Sequence, residues 1–167
     1  MHSVAQAAPS AASTAGTAAS QASEPAITRV AVAGATGFTG QELLRILARH
    51  PAVALTSAMS SGASGGAERR LPALARIWNG EIAPFSADTL AADADVVFLA
   101  LPDKAAAEVG PALVDTGVRV IDLSGAFRLR DSAGRATWYP DTKALPEGTA
   151  YGLTERERGA VVRARLV

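Results

Sequence analysis

The stretch that decides the fold of this chain is ITRVAVAGATGFTG, residues 27–40. Residues 27–33 are rich in β-branched side chains and are closed by glycine, a pattern that predicts a buried strand. Apolar side chains then recur at helical spacing over residues 37–49, which predicts a helix that stops at Pro51. A strand that passes through a glycine-rich turn directly into a helix is typical of a β-α-β unit.

The same alternation continues along the chain. Further strands are predicted at residues 53–58, 94–100 and 118–123, with a helix at residues 104–114. The segment 60–80 is rich in glycine and serine and then irregular. The expected fold class is therefore α/β, a Rossmann-like doubly wound parallel sheet.

Residues 1–26 differ in composition from the rest. They are mostly alanine, serine, threonine and glutamine, without a sustained hydrophobic period, so we expect a disordered tail. Neither the cationic start nor the apolar core of a secretion signal is present, and the first arginine is Arg29. The remaining residues, 27–167, are expected to form one dinucleotide-binding domain, and a cytoplasmic location is expected.

Composition excludes several classes of function. The formal net charge of zero argues against a broad binding surface for nucleic acid or anionic lipid. No run approaches the roughly 18–20 apolar residues of a membrane span. The 167 residues contain no cysteine, so they offer no disulfide, no thiolate metal site and no thiol nucleophile. No metal site is expected.

The glycine turn has the spacing G-x-x-G-x-x-G, formed by Gly34, Gly37 and Gly40. Glycines allow a pyrophosphate to approach the backbone, where free N–H groups and the helix dipole meet its charge. An NAD site commonly has a carboxylate about 20 residues further on, at the end of the second strand. Residues 56–61 read TSAMSS instead, which favours NADP, although a solvated serine loop would look the same.

Several motifs, taken together, resemble one family. They are GATGFTG at 34–40, HP at 50–51, VVFLALP at 96–102, DLSGAFR at 122–128 and YGL at 151–153. In this order they resemble N-acetyl-gamma-glutamyl-phosphate reductase, whose first half is a semialdehyde dehydrogenase NAD-binding domain. The resemblance runs from about Val30 to Val167.

The resemblance implies an NADPH-dependent reduction of an acyl phosphate to an aldehyde in arginine biosynthesis, by a homo-oligomeric enzyme. In the family a cysteine thiolate displaces phosphate to form a thioester, and a histidine acts as acid and base. That cysteine follows a strand resembling Ala164–Val167, so the catalytic domain is expected to be absent from these residues. The isolated chain is then expected to be inactive. An aminoadipyl or aspartyl phosphate remains an alternative substrate.

Family roles transfer only to matching positions. Because Asp103 stands where many family members have histidine, the role of that position stays open. Arg128 is expected either to contact substrate or to fix its loop through carbonyl groups. The cofactor-binding positions implied by the resemblance are Gly34, Thr36, Gly37, Phe38, Thr39, Gly40, Ser57, Ser60, Leu101 and Pro102, and the substrate-cleft candidates are Ser124, Gly125 and Arg128.

Two other functions fit parts of the sequence. Tyr139 and Lys143 have the Tyr-x-x-x-Lys spacing of a short-chain dehydrogenase, but Pro140 and the nearby Pro146 argue against the helix that this pair requires. The chain would alternatively serve as a non-catalytic dinucleotide-binding subunit or sensor. His2 and His50 are expected to be structural or incidental, since a catalytic histidine requires a positioned partner.

Overall fold

The structure, a computed structural model, describes residues 27–60 and 71–167. Five parallel strands form one sheet in the order β3-β2-β1-β4-β5. This confirms the expected α/β doubly wound architecture. The predicted tail 1–26 and part of the predicted irregular segment 60–80 lie outside the described residues. The strands are β1 (Thr28–Ala33), β2 (Val53–Ser60), β3 (Ala83–Pro84), β4 (Val96–Leu99) and β5 (Arg119–Asp122).

The helices connect these strands. The two predicted ones are confirmed, with slightly different bounds, as α1 and α3, whereas three short or polar helices were not predicted. The first of these, α2, begins at Ser86, whose hydroxyl accepts a hydrogen bond from the Thr89 N–H. The helices are α1 (Phe38–Leu47), α2 (Ala87–Asp93), α3 (Asp103–Asp115), α4 (Ser132–Trp138) and α5 (Thr154–Arg163), with a 3-10 turn at Pro72–Leu74.

Alternate residues of β1 pack into two separate hydrophobic cores, one on each face of the sheet. Val30 and Val32 pack with Leu44 of α1, while Ala31 and Ala33 belong to the core that contains Leu113 of α3. This alternation follows from the two-residue period of a strand. Both faces are therefore covered, as expected for a parallel sheet. Among the described residues, no helix has the length and apolar character needed to cross a bilayer.

Strand β2 carries one extra residue relative to β1. Val30 is opposite Leu55, but the next residue, Ala31, is opposite Ser57. Thr56 is therefore a bulge, and its hydroxyl donates a hydrogen bond to the Val30 carbonyl oxygen over 3.2 Å. The bond links the side chain of the bulged residue to the backbone of the neighbouring strand.

The last residues of the chain run alongside β5. The Val120 N–H donates to the Arg165 carbonyl over 2.8 Å, and the Asp122 N–H donates to the Val167 carbonyl over 2.7 Å. Leu166, between them, is fully buried. The Arg165 guanidinium also donates to the Val114 carbonyl at the end of α3, over 2.9 Å. This segment thus extends the sheet beyond β5 and ties it to the helix above.

Candidate dinucleotide site and adjoining cleft

The glycine turn lies between β1 and α1, against the end of β4. Gly34 has φ of 87°, a left-handed conformation that favours glycine. A Cβ atom on Gly34 would overlap the carbonyl oxygen of Ala100, and one on Gly40 would overlap the carbonyl oxygen of Gly34. Both positions therefore require glycine for the loop to pack this closely.

The amino end of α1 has N–H groups without an acceptor among the described residues, and those of Phe38 and Thr39 lie in exposed residues. The helix is capped by Gly37, which offers no side-chain acceptor. Among the described residues, the N–H groups of Phe38, Thr39 and Gly40 have no acceptor. Residues 36–39 are exposed. Free N–H groups at the positive end of a helix dipole, next to a loop without side chains, fit a pyrophosphate.

Of the two serines expected near a 2′-phosphate, one is joined to the glycine loop. The hydroxyl groups of Ser60 and Thr36 form a hydrogen bond of 2.8 Å, and Ser60 is buried. Ser57 is half-buried and lies three residues away on β2, so it projects from the opposite face of the sheet. Residues 53–60 of β2 include no carboxylate.

The segment after β4 approaches the same loop from the other side. Leu101 is buried, and its Cδ2 atom would lie 3.3 Å from a Cβ on Gly34. Pro102 is exposed and precedes the first residue of α3, Asp103. The Asp103 carboxylate accepts a hydrogen bond of 2.6 Å from the Gly125 N–H. Sequence reasoning left Asp103 without a role, and the structure shows that it joins this segment to the loop after β5.

The loop after β5 is held by its own polar groups. The Ser124 hydroxyl donates to Asp122 Oδ2 over 2.7 Å and accepts from the Ala126 N–H over 3.1 Å. Arg128 Nε donates to the Ser124 carbonyl over 3.1 Å, while the rest of this exposed guanidinium makes no hydrogen bond to the described residues. Arg128 therefore fixes the loop and still presents its terminal nitrogens to solvent.

Asp122 is the titratable group most affected by this environment. Burial raises the pKa of its carboxyl above the ordinary range. The hydrogen bonds from Ser124 oppose this rise, and the nearby charge of Asp103 adds to it. A carboxyl with a raised pKa at the carboxyl end of a parallel sheet is typical of a functional cleft, although buried networks also produce such shifts.

A cavity of about 320 Å³ opens beside this loop. Ser124 and Arg128, two of the substrate-cleft candidates, line it, together with the largely exposed Tyr151. Gly125, the third candidate, does not line it. It is buried, and a Cβ there would overlap the ring of Tyr139. The remaining walls of the cavity are formed by Asp122, Leu123, Phe127, Ala150 and Val167.

The Tyr-x-x-x-Lys pair does not form a catalytic pair here. Helix α4 ends at Trp138, so Tyr139 and Lys143 do not share a helix face. The Lys143 ammonium donates to the Pro140 carbonyl over 3.4 Å. The expectation that no stable helix forms over residues 139–143 is confirmed. In the described parts of the chain, no group of three His, Asp or Glu side chains is arranged to hold a metal ion.

Comparison with known proteins places the chain among the semialdehyde dehydrogenases. The sequence profile described as "Semialdehyde dehydrogenase, NAD binding domain" matches residues 29–164. The chain belongs to this family. Semialdehyde dehydrogenases of this type are oxidoreductases, and the domain binds a nicotinamide dinucleotide. The expected family resemblance is thereby confirmed.

Curated relatives are named N-acetyl-gamma-glutamyl-phosphate reductase. The protein of Brevibacillus brevis is 41% identical over 145 residues, which cover 84% of this chain and 42% of the relative. That of Geobacter sulfurreducens is 43% identical over 143 residues, covering 83% of this chain and 41% of the relative. The chain thus spans about two fifths of the length of these relatives.

Solved semialdehyde dehydrogenases share the fold. Aspartate semialdehyde dehydrogenase II of Vibrio cholerae superposes with a TM-score of 0.59 at 18% identity, covering 84% of this chain and 40% of that structure. The Candida albicans aspartate semialdehyde dehydrogenase gives a TM-score of 0.51 at 22% identity, covering 62% and 31%. At this identity the likeness concerns the fold alone.

Proposed function

We propose that the chain is the NADP-binding portion of an N-acetyl-gamma-glutamyl-phosphate reductase, which reduces an N-acetyl-glutamyl phosphate to the semialdehyde. The observation that carries the proposal is the exposed glycine loop. Its Gly34 and Gly40 exclude side chains, and the N–H groups at the start of α1 have no acceptor in the described part of the chain. The relatives of about 41% identity supply the substrate class.

The preference for NADP over NAD is argued from the end of β2. An NAD site uses a carboxylate there to hold the ribose hydroxyl groups, and the same carboxylate would repel a 2′-phosphate. Residues 56–60 of this strand carry hydroxyl groups but no charge. Tight binding of NAD with no preference for NADP would contradict this part of the proposal.

Each loop at the carboxyl edge of the sheet has a part in the proposal. The N–H groups at 38–40 bind the pyrophosphate, and the buried Leu101 with Pro102 borders the path of the dinucleotide. Ser124 and the free end of Arg128 would orient the acyl phosphate in the adjoining cavity. The bound nicotinamide supplies the hydride. Within the proposal, this chain's own contribution is binding and orientation.

These 167 residues contain no thiol, so they cannot form the thioester of the family's reaction. We therefore expect the purified chain to bind NADP but to show no phosphate-dependent reduction or oxidation. The assay follows NADPH absorbance with acyl phosphate in one direction, and with semialdehyde and phosphate in the other. Turnover by the chain alone would contradict the proposal that it binds the cofactor without catalysing the reaction.

The direct test is calorimetric titration of the chain with NADP and NAD, comparing wild type with Gly37→Ala. A Cβ on Gly37 would meet only the Gly34 carbonyl oxygen, at 3.5 Å, so the variant should fold normally. The added methyl group would nevertheless stand where the pyrophosphate approaches, and we expect at least about ten-fold weaker binding, roughly 1.4 kcal/mol. Gly159→Ala, in α5 and away from the loop, is the matched control and should leave the Kd unchanged.

A further inference from the structure

Strand β2 reaches the dinucleotide site only after its bulge. Leu55 packs with the α1-side core, and so does Ala58, three residues later. In a straight strand, residues separated by an odd number of positions face opposite sides of the sheet. The extra residue at Thr56 is therefore what keeps both on one face.

The same offset decides where Ser60 lies. Ser60 is two residues beyond Ala58, so it projects from the α1 side, where its hydroxyl meets that of Thr36 at 2.8 Å. If Thr56 entered the ladder opposite Ala31, every later residue would reverse its face. Ser60 would then point away from the glycine loop, and Met59 would replace it.

We propose that Thr56 is a positioning residue for the dinucleotide site, acting through Ser60 on the glycine loop; this inference rests on the proposed function. Its hydroxyl donates to the Val30 carbonyl and holds the residue out of the ladder. Thr56 itself is exposed and lies four residues before Ser60, so its effect on the ligand is indirect. The Thr56–Val30 hydrogen bond thus holds the register of β2 in which Ser60 can bond to Thr36.

The test compares a hydroxyl-free variant with a conservative one. Thr56→Val retains the β-branched shape and removes the bond to Val30, whereas Thr56→Ser retains the hydroxyl. Thr116→Val is the matched control, because the Thr116 hydroxyl also donates to a backbone carbonyl, that of Leu113, over 2.7 Å. Thr116 follows α3 and precedes β5, so it lies near the amino ends of the strands. The glycine loop lies at their carboxyl ends.

We expect Thr56→Val to raise the Kd for NADP about five-fold, the equivalent of one ordinary hydrogen bond. Thr56→Ser and Thr116→Val should stay within about two-fold of wild type. Both valine variants lose a hydrogen bond, so a loss of thermal stability alone does not separate them. If Thr56→Val fails to fold, Thr56→Ala provides the second hydroxyl-free variant for the same titration.

A double-mutant cycle with Ser60→Ala tests whether Thr56 acts through Ser60. Residues that act in one network are non-additive. The double variant Thr56→Val/Ser60→Ala should therefore bind NADP no more weakly than the weaker single variant. Additive losses, an unchanged Kd in Thr56→Val, or an equal loss in Thr116→Val would each overturn the positioning role. Wild-type protein that binds neither NADP nor NAD would instead overturn the proposed function first.

Discussion

Asp103 Oδ1 lies 2.6 Å from the backbone nitrogen of Gly125, so the first residue of α3 holds the loop that follows β5. The two residues are 22 positions apart and follow adjacent parallel strands. This hydrogen bond joins the segment beside the glycine loop to the segment that lines the adjoining cavity. The two halves of the candidate site are therefore mechanically connected within this chain.

Replacing Asp103 with alanine should loosen that connection. We expect Asp103→Ala to lower the free energy of unfolding by about 1–2 kcal/mol and to speed hydrogen exchange at the Gly125 amide. Asp131→Ala is the control, because Asp131 accepts a bond of the same length from the Gly134 N–H at the start of α4. The control should lose similar stability and keep slow exchange at Gly125. Equal exchange at Gly125 in both variants would refute the connection.

Gly125 is packed against an aromatic ring, which predicts a rescue. A Cβ on Gly125 would overlap Cε1 of Tyr139, so Gly125→Ala should cost about 1–3 kcal/mol of stability. Combining it with Tyr139→Ala should cost less than the sum of the two changes, since the clash partner is gone. Urea denaturation of the two single variants and the double variant measures this. Simple additivity would show that the cost of Gly125→Ala does not come from its overlap with Tyr139.

Asp122 should give stability a distinctive pH dependence. Because burial raises its folded-state pKa, the native state holds this proton longer than the unfolded chain does. The contribution of Asp122 to folding stability is therefore most favourable below about pH 4, the ordinary pKa of an aspartate. It is lost as the pH rises through the raised pKa of the folded state. Asp122→Asn removes this change. The stability of wild type relative to Asp122→Asn should fall with rising pH and then level off, whereas a difference independent of pH would contradict the raised pKa.

Arg165 should stabilise the chain end through α3. Its guanidinium donates to the Val114 carbonyl in the last turn of α3, which also accepts a hydrogen bond from the Gly117 N–H over 3.0 Å. We expect Arg165→Met to lower the free energy of unfolding by about 1–2 kcal/mol. The side chain of Arg163 makes no hydrogen bond to the described residues, so Arg163→Met should change stability by less than about 0.5 kcal/mol. Thermal unfolding of both variants checks the difference.

The sequence pattern predicts the elements with a strong period but not those without one. β-Branched residues predict β1, and the helical spacing of apolar residues predicts α1. The structure confirms both positions within a few residues. Strand β3 has only two residues, Ala83–Pro84, which is too short to show any period. Helix α5 buries no side chain, so it lacks the apolar stripe on which helix prediction depends.

The glycine loop was predictable because its spacing and its strand–helix context are both local. The Asp103–Gly125 bond was not, since it joins residues 22 positions apart and depends on which strands are neighbours. The bulge at Thr56 was not predictable either, because threonine is enriched in regular strands and does not by itself indicate a bulge. The binding roles of the individual site residues remain predictions.

The strand order separates the two ends of any ligand that lies across this edge of the sheet. Connections leave β1 toward β2 and β3 on one side, and β4 and β5 lie on the other. The serines of β2 are thus on one flank of the glycine loop, and Ser124 with Arg128 is on the other. A dinucleotide bound at such a reversal point has its two nucleotides on opposite flanks. Under the proposed function, changes to residues of β2 alone would therefore alter the preference between NADP and NAD, and the flank that carries Ser124 and Arg128 would stay unchanged.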